Sequence, residues 1–586
     1  MPLIRLFFSH IRPYTGMLLV VVALQTFSTL AALYLPTLNA RIIDNGVTQG
    51  DVPYIWSTGQ IMLVVAFLQG ATSIIAVWFS SRASMRVGRD IRRSVYYRVT
   101  DFSAQDINRF GSATLITRNT NDIQQVQMVL LMTLNFMVMI PIMSVGGIVM
   151  AIREDAGLSW LVWVSVLVLL IVVSILIGIL MPLFKKMQDR LDDINGVVRE
   201  QIQGIRVVRA FTREAHEAQR FDQANRSLTS ISVNVGRVFV LMFPLIMFIL
   251  NAATAAVLWF GGHRLDAGDT QIGSLTAFLQ YLLMILMAVM MGSFLAMMLP
   301  RAVVCAGRVQ EVLGMDSSLT IPAETKAPEQ LRGLVEFRDV SFSYPGADAP
   351  VLDGITFTAQ PGQTTAIIGA TGAGKSTLLG LIPRLYQASS GEILLDGVSV
   401  DDMARSEIIK RVAMVPQKPY LFSGTIAKNL RFGNQEAGEE QLWEALRIAQ
   451  ADDFVSQRST GEGEQERHGL ESTVAQGGTD VSGGQRQRLC IARSLVANPK
   501  VHLFDDSFSA LDVTTDSQLR AALRPYTRET TVIIVAQRVA SIVDADQILV
   551  LEAGRIVARG THNQLLEDSE TYQEIVASQM TAEEAR

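Results

Sequence analysis

The sequence predicts an α-helical membrane domain of six spans followed by an α/β nucleotide-binding domain. Three observations carry this expectation. Six apolar stretches of spanning length lie before residue 300, and the glycine-rich run "GATGAGKST" follows a strand-like segment well beyond it. Between them the long apolar runs give way to charge, glycine and alternating patterns. At roughly 100–200 residues per domain, a chain of 586 residues holds several.

A hydrocarbon core ~30 Å thick requires ~20 apolar residues in a helix, and the stretches 17–42, 57–80, 129–152, 158–181, 236–261 and 274–299 meet that requirement. Only "REDAG" separates the third and fourth, which leaves room for a tight loop. Arg82, Arg86, Arg89, Arg92, Arg93, Arg98, Arg109 and Arg118 fall between the second and third spans. Lys185, Lys186, Arg190, Arg199, Arg206, Arg209 and Arg213 fall between the fourth and fifth. Loops 43–56, 153–157 and 262–273 hold almost no lysine or arginine. The positive-inside tendency then puts both termini and the two long loops in the cytoplasm. This reads as an integral protein of the lipid bilayer, expected in a bacterial inner membrane with its nucleotide-binding half cytoplasmic.

A net charge of −5 gives no sign of nucleic-acid binding. Cys305 and Cys490, the only cysteines, are far apart and read as small buried hydrophobes, not as a disulfide framework. At the N-terminus, Leu3, Ile4, Phe7, Phe8 and Ile11 recur at helical spacing with Arg5 and Arg12 elsewhere. That pattern suits an amphipathic helix on the inner membrane surface. A signal peptide would need a short apolar core and a small-residue cleavage site, and neither is evident.

The two cytoplasmic loops keep a 3.6-residue period and read as helix continuing out of the spans. They turn at "FGSATLITRNTNDI" and "RAFTREAHEAQRF", where short helices are expected around Thr114–Arg118 and Ala210–Arg213. Glycine and proline become frequent in "GMDSSLTIPAETKAPEQLRG". The expected division is a membrane domain over 1–313, a linker over 314–333 and a nucleotide-binding domain over 334–586.

Within that last part, "TTAIIG" precedes Gly369, four residues, then Gly374, Lys375 and Ser376, and a helical run follows. This is the strand–loop–helix context of a phosphate-binding loop. Its glycines let backbone N–H groups face phosphates at a helix N-terminus. Lys375 adds a positive charge, and the Ser376 hydroxyl can ligate Mg²⁺. The apolar run "KVHLFDD" brings Asp505 to a strand end, where it would hold Mg²⁺ directly or through water. A third motif, "VSGGQRQR", sets Ser482, Gly483 and Gly484 before another helix as a second anion-ready N-terminus. One nucleotide cannot occupy two distant cradles on one domain. The second makes sense if it serves a nucleotide held by another domain.

In this order, and over essentially the whole chain, these features resemble the ATP-binding cassette (ABC) transporters. The closest pattern is the exporter-type half-transporter, with the membrane domain fused before the cassette (the type IV fold). The resemblance implies ATP and Mg²⁺ as ligands. It makes Tyr344 the aromatic that stacks on adenine. Gly369 to Thr377, including Thr371 and Gly372, match Walker A, and Gln417 matches the Q-loop residue that touches Mg²⁺ and the membrane domain. Val481 to Gln485 match the signature, with valine where leucine is usual. Asp505 matches the Walker B aspartate, "SALD" (509–512) the D-loop, and the two cytoplasmic turns the coupling helices. In such families two cassettes meet head to tail, each ATP lying between Walker A of one and the signature of the other.

Three departures from the family pattern stand out. Asp506 occupies the place of the glutamate that polarises the attacking water, and Gln537 that of the histidine at the γ-phosphate. "AQGG" (475–478) replaces the "GERG" that tends to precede the signature. Aspartate is one methylene shorter than glutamate, and a misplacement of ~1 Å can cost on the order of 10²-fold. Gln537 can donate a hydrogen bond but cannot become an imidazolium. With Asp506, Gln537 and Gln417 as its catalytic set, the site is expected to bind ATP and hydrolyse it poorly. Ser482 to Gln485 would complete a competent site on a second half-transporter, making the assembly a heterodimer.

The membrane half says less. Few ionised residues lie within the spans, which argues against a fixed ion path. Met284, Met287, Met291 and Met298 share one face of the sixth span near Phe294. Flexible thioethers suit an adaptable apolar pocket, and ordinary helix packing explains them equally well. Asn135 and Asn251 read as interhelical hydrogen-bond partners. The expectation is ATP-driven export of lipophilic drugs, lipids or peptides. An importer of the same architecture and an ATP-gated channel or regulator stay open as alternatives. Six spans exclude a soluble ATPase.

Overall fold

The computed structural model describes residues 2–319, 324–461 and 466–579. The chain divides into two compact units, one of Met1–Thr100 with Ser112–Met315, the other of Asp101–Gly111 with Asp316–Arg586.

The first unit is helical. Its elements are α1 (Pro2–Ile11), α2 (Thr15–Arg41) and α3 (Val52–Thr100). After α4 (Ala104–Phe110), which groups with the second unit, come α5 (Ser112–Thr117) and α6 (Ile123–Glu154), joined by a π turn at Arg118–Asp122. Next are α7 (Ser159–Gln203), α8 (Ile205–Ala210), α9 (Glu214–Asp266) and α10 (Ile272–Gly314). Among the described residues, six helical stretches are long and apolar enough to cross a membrane. They overrun it: α9, at 53 residues, is about 80 Å long at ~1.5 Å per residue. Pro36, Pro141, Pro182, Pro244 and Pro300 lie inside these helices, as membrane helices tolerate.

α10 is the central helix. Phe278, Tyr281, Leu282 and Ile285 are fully buried and pack with Leu33, Ala151, Leu161 and Val257. Gly147 of α6 lets the two helices approach: a Cβ there would stand 2.7 Å from the Ile285 side chain. Small residues serve membrane helix packing in this way. The Tyr281 hydroxyl donates to the Leu33 carbonyl at 2.8 Å, and Ser80 donates to Asn135 Oδ1 at 2.8 Å, so Asn135 is an interhelical partner as expected. Asn251 is exposed. On α1, Leu3 and Leu6 turn inward, while Ile4 and Phe8 face out.

The turns of the two long loops differ from the expectation at one end. The free-standing short helix of the first loop is α4; Thr114–Arg118 instead belongs to the run that continues into α6. The cause is local. Ser103 and Asp106 form a reciprocal capping box that starts α4, and Gly111 at φ 77° stops it. In the second loop, Gly204 breaks the long helix, α8 follows, and Thr212 at φ 50° sets the turn before α9. Phe211 at that turn is 71% exposed.

The second unit is α/β. A six-stranded sheet runs in the order 555–560, 547–552, 364–369, 531–535, 501–505, 412–415. All neighbours are parallel except the edge hairpin of 547–552 with 555–560. Strands buried on both faces read as the continuous apolar runs seen in "VHLFD" and "TVIIV". A four-stranded antiparallel sheet of 335–342, 352–359, 390–395 and 398–399 lies in the same unit.

Much of the expected linker is held on this unit. Asp396 accepts the backbone N–H of Gly333 at 2.7 Å and of Leu334 at 2.8 Å, and Lys326 pairs with Asp402 at 2.7 Å. Further upstream, Asp106 of α4 accepts the Ser318 N–H at 3.0 Å and its hydroxyl at 3.1 Å. Residues 320–323 lie outside the described residues.

Candidate nucleotide site

The phosphate loop is built by backbone shape. Strand Thr364–Gly369 ends against Leu551, whose carbonyl oxygen would lie 2.0 Å from a Cβ at Gly369. Gly374 sits at φ 97° immediately before helix Lys375–Leu381, a left-handed conformation that L side chains avoid. The first turn of that helix points N–H groups at the loop, as an anion site requires. Lys375 Nζ donates to the carbonyls of Gly369 and Ala370, both at 2.8 Å. Burial pushes this amine below the usual lysine range, opposed by the charges of Asp506 and Asp505.

Asp505 closes strand Val501–Asp505, and the parallel sheet brings it to the loop. Its Oδ1 accepts the Ser376 hydroxyl at 2.8 Å. Burial pushes the Asp505 carboxyl up and the charge of Asp506 adds to this, against Ser376 and Lys375. A buried carboxylate beside a hydroxyl, with no cation in hydrogen-bond contact, is chemically suited to a hard divalent metal.

Asp506 follows at φ 48°, and its N–H is tied to the Val535 carbonyl at 3.0 Å. One oxygen, Oδ2, accepts two side-chain amides: Gln537 Nε2 at 2.7 Å and Gln417 Nε2 at 3.3 Å. The residues expected to form the catalytic set are thus joined directly. Gln417, expected also near the metal, is bonded to Asp506 and not to the Ser376–Asp505 pair. Tyr344 is half-buried, its ring edge-on to Phe342 and Tyr386, and its hydroxyl is 3.1 Å from Thr377 Oγ1. Thr371 and Gly372 are exposed at the loop tip.

The signature stands apart. Ser482 caps helix Gly483–Val496 in a reciprocal box with Gln485, at 3.2 and 3.0 Å. Ser482 and Gly483 are exposed, Gly484 and Gln485 half-buried. Among the described residues, no hydrogen bond joins Ser482, Gly483, Gly484 or Gln485 to the phosphate loop. Sequence reasoning missed one contributor: Gln579, just past helix Glu570–Ala577, hydrogen-bonds the backbone at Gln537 and Val539. Forty residues of separation and an ordinary helical context gave no signal for it.

A membrane-spanning helical unit joined to an α/β unit with a phosphate loop and a strand-end aspartate defines a nucleotide-driven membrane protein. The comparisons with known proteins define it further. Residues 18–289 match the family model of the ABC transporter transmembrane region and residues 352–509 the family model described as ABC transporter. An uncharacterized ABC transporter ATP-binding protein of Mycobacterium tuberculosis is 46% identical, covering 98% of each chain. A second, from Bacillus subtilis, is 34% identical over 98% of each. The ATP-dependent lipid A-core flippase of Pseudomonas putida is 30% identical over 95% of this chain and 93% of its own. A bacterial Atm1-family ABC exporter solved with ATP bound superposes with a TM-score of 0.79 at 23% identity, covering 97% and 98% of the two chains. The chain belongs to the ABC transporter family. It is an integral membrane protein of exporter-type fold whose ATP-binding domain drives transport.

Proposed function

We propose that this chain is one half of a heterodimeric exporter and that its own Walker site grips ATP but turns it over slowly. The observation that carries this is the state of Asp506. The aspartate is short for a catalytic carboxylate, and one of its two carboxylate oxygens, Oδ2, already accepts the amides of Gln417 and Gln537. An oxygen that already accepts two amides has no lone pair free to orient an attacking water.

In this reading Tyr344 stacks on adenine, and the phosphates lie on the N–H groups from Gly369 to Thr377 with Lys375 beside them. Ser376, Asp505 and the Gln417 amide oxygen would hold Mg²⁺, an all-oxygen set that suits it. The bound ion would neutralise charge on the phosphate oxygens. Exposed Ser482 and Gly483 would complete the site of the partner half-transporter. The domains run over 1–313 and 334–586 with the linker between. The arginine-rich loops favour a cytoplasmic cassette in a bacterial inner membrane. The lipid A-core flippases among the relatives favour an amphiphilic, lipid-like cargo. So do Met287, Phe294 and Met298, which are exposed on one stretch of α10.

Steady-state ATPase of the purified pair tests this. Asp506→Asn should leave most of the activity, while replacing the glutamate at the equivalent position of the partner should nearly abolish it. Equal and complete loss in both would mean two equivalent sites and would end the proposal.

A further inference from the structure

The loop that carries Gln537 has a second attachment, at the far end of the chain. Strand Thr531–Val535 leads into it, and Ala536 N–H is still held by the Ile367 carbonyl at 3.1 Å. Beyond that point the backbone leaves the sheet. The Gln537 carbonyl accepts Gln579 Nε2 at 2.8 Å, and the Val539 N–H donates to Gln579 Oε1 at 2.9 Å. One primary amide thus bonds the main chain on both sides of Arg538, as a neighbouring strand would. Gln537 in turn donates its own side-chain amide to Asp506 at 2.7 Å. The clamp rests on firm support. Helix Glu570–Ala577 buries Tyr572 and Val576 in the same apolar cluster as Val539, and Tyr572 OH lies 2.7 Å from His562 Nδ1.

We propose that Gln579 is a positioning residue for the nucleotide site. By fixing the main chain at Gln537 and Val539 it sets where the Gln537 side chain reaches. The turn after helix Glu570–Ala577 thereby governs how firmly this Walker site holds ATP. The inference rests on the Walker-site reading and goes beyond it. Gln579 touches neither nucleotide nor metal; it acts through Gln537.

The test uses the full-length chain in the assembled transporter and photoreactive azido-ATP with Mg²⁺, following the rate at which label leaves this chain. Gln579→Ala removes both bonds. Gln579→Glu keeps the acceptor for Val539 but sets a carboxylate against the Gln537 carbonyl. Gln573→Ala is the control: on the helix that leads to Gln579, it removes a bond to the Leu566 carbonyl and leaves the loop untouched. Two partly exposed hydrogen bonds predict release about five- to thirtyfold faster in Gln579→Ala. Gln579→Glu should be at least as fast, and Gln573→Ala should match the wild type. Unchanged release in Gln579→Ala overturns the proposal, and so does equal acceleration by Gln573→Ala, which would reduce the effect to helix packing. If release quickens and ATPase turnover falls equally, the clamp stands and the unequal-sites reading fails. If the wild-type chain retains no label, the Walker-site reading falls and the clamp with it.

Discussion

Asp106→Ala removes the carboxylate that ties the turn of the first long loop to the segment entering the cassette. In the wild type that carboxylate is 3% exposed and accepts Ser103 N–H at 3.0 Å, Ser318 N–H at 3.0 Å and Ser318 OH at 3.1 Å. Hydrogen bonds to a charged group contribute about 1.5–3 kcal/mol each. Releasing a buried charge returns several kcal/mol of that total. The net expectation is about 2–4 kcal/mol of local stability, given that tenfold corresponds to about 1.4 kcal/mol. Global unfolding is not two-state in a protein of this size, so the assay must be local. Native-state hydrogen exchange of peptides over 101–107 and 316–319 should quicken about 30- to 1,000-fold in the variant. Asp106→Asn, which keeps the size and one acceptor oxygen, should lie between. Burial pushes this carboxyl up, but the donors from Ser318 and Ser103 outweigh it and hold the group below the usual carboxylate range. The folded value is therefore lower than the unfolded one, and the stabilisation is full above about pH 4 and lost as pH falls further. If exchange in both peptides were the same in Asp106→Ala and wild type at neutral pH, the tether would carry no stability and the reasoning would fail.

Two further outcomes are expected. His502 is buried beside Phe504 and Tyr526, both ring nitrogens lack a partner, and burial lowers its pKa to about 4. The unfolded chain binds a proton near pH 6.5 and the fold does not, so the cassette should lose up to about 3 kcal/mol between pH 6.5 and 4, at 1.4 kcal/mol per unit. His502→Leu should flatten that dependence in native-state hydrogen exchange of the peptide over 501–505; an unchanged slope would contradict it. Phe211→Ala removes an aromatic ring that is 71% exposed in the single chain. If that ring docks on a partner's cassette, about 1.5–3 kcal/mol of burial is lost. Vesicle transport should then drop while azido-ATP labelling persists, and equal loss of both would speak against a coupling role.

What the sequence determined was local in kind. Six apolar runs must become helices because lipid offers no partner for backbone N–H and C=O groups. "GATGAGKST" must become a phosphate loop because glycine alone tolerates the conformation at Gly374 and the close approach at Gly369. The exchanged residues Asp506 and Gln537 could be read directly from their motifs. Even the turns of the two long loops were legible, though the first was misplaced: Ser103 with Asp106 three residues on is a capping signal that marks α4 ahead of Thr114. What only the tertiary structure decided was which distant groups share one atom. Parallel pairing sets Asp505 beside Val535, and the turns beyond those strands bring Gln537 and Gln417 to the same oxygen of Asp506. Packing of Tyr572 and Val576 brings Gln579 back to that loop, and burial aims Asp106 at Ser318. Periodicity reports how a residue faces its own helix or strand. A hydrogen bond between residues 40 or 212 positions apart depends on how the intervening elements pack, and no local pattern encodes that.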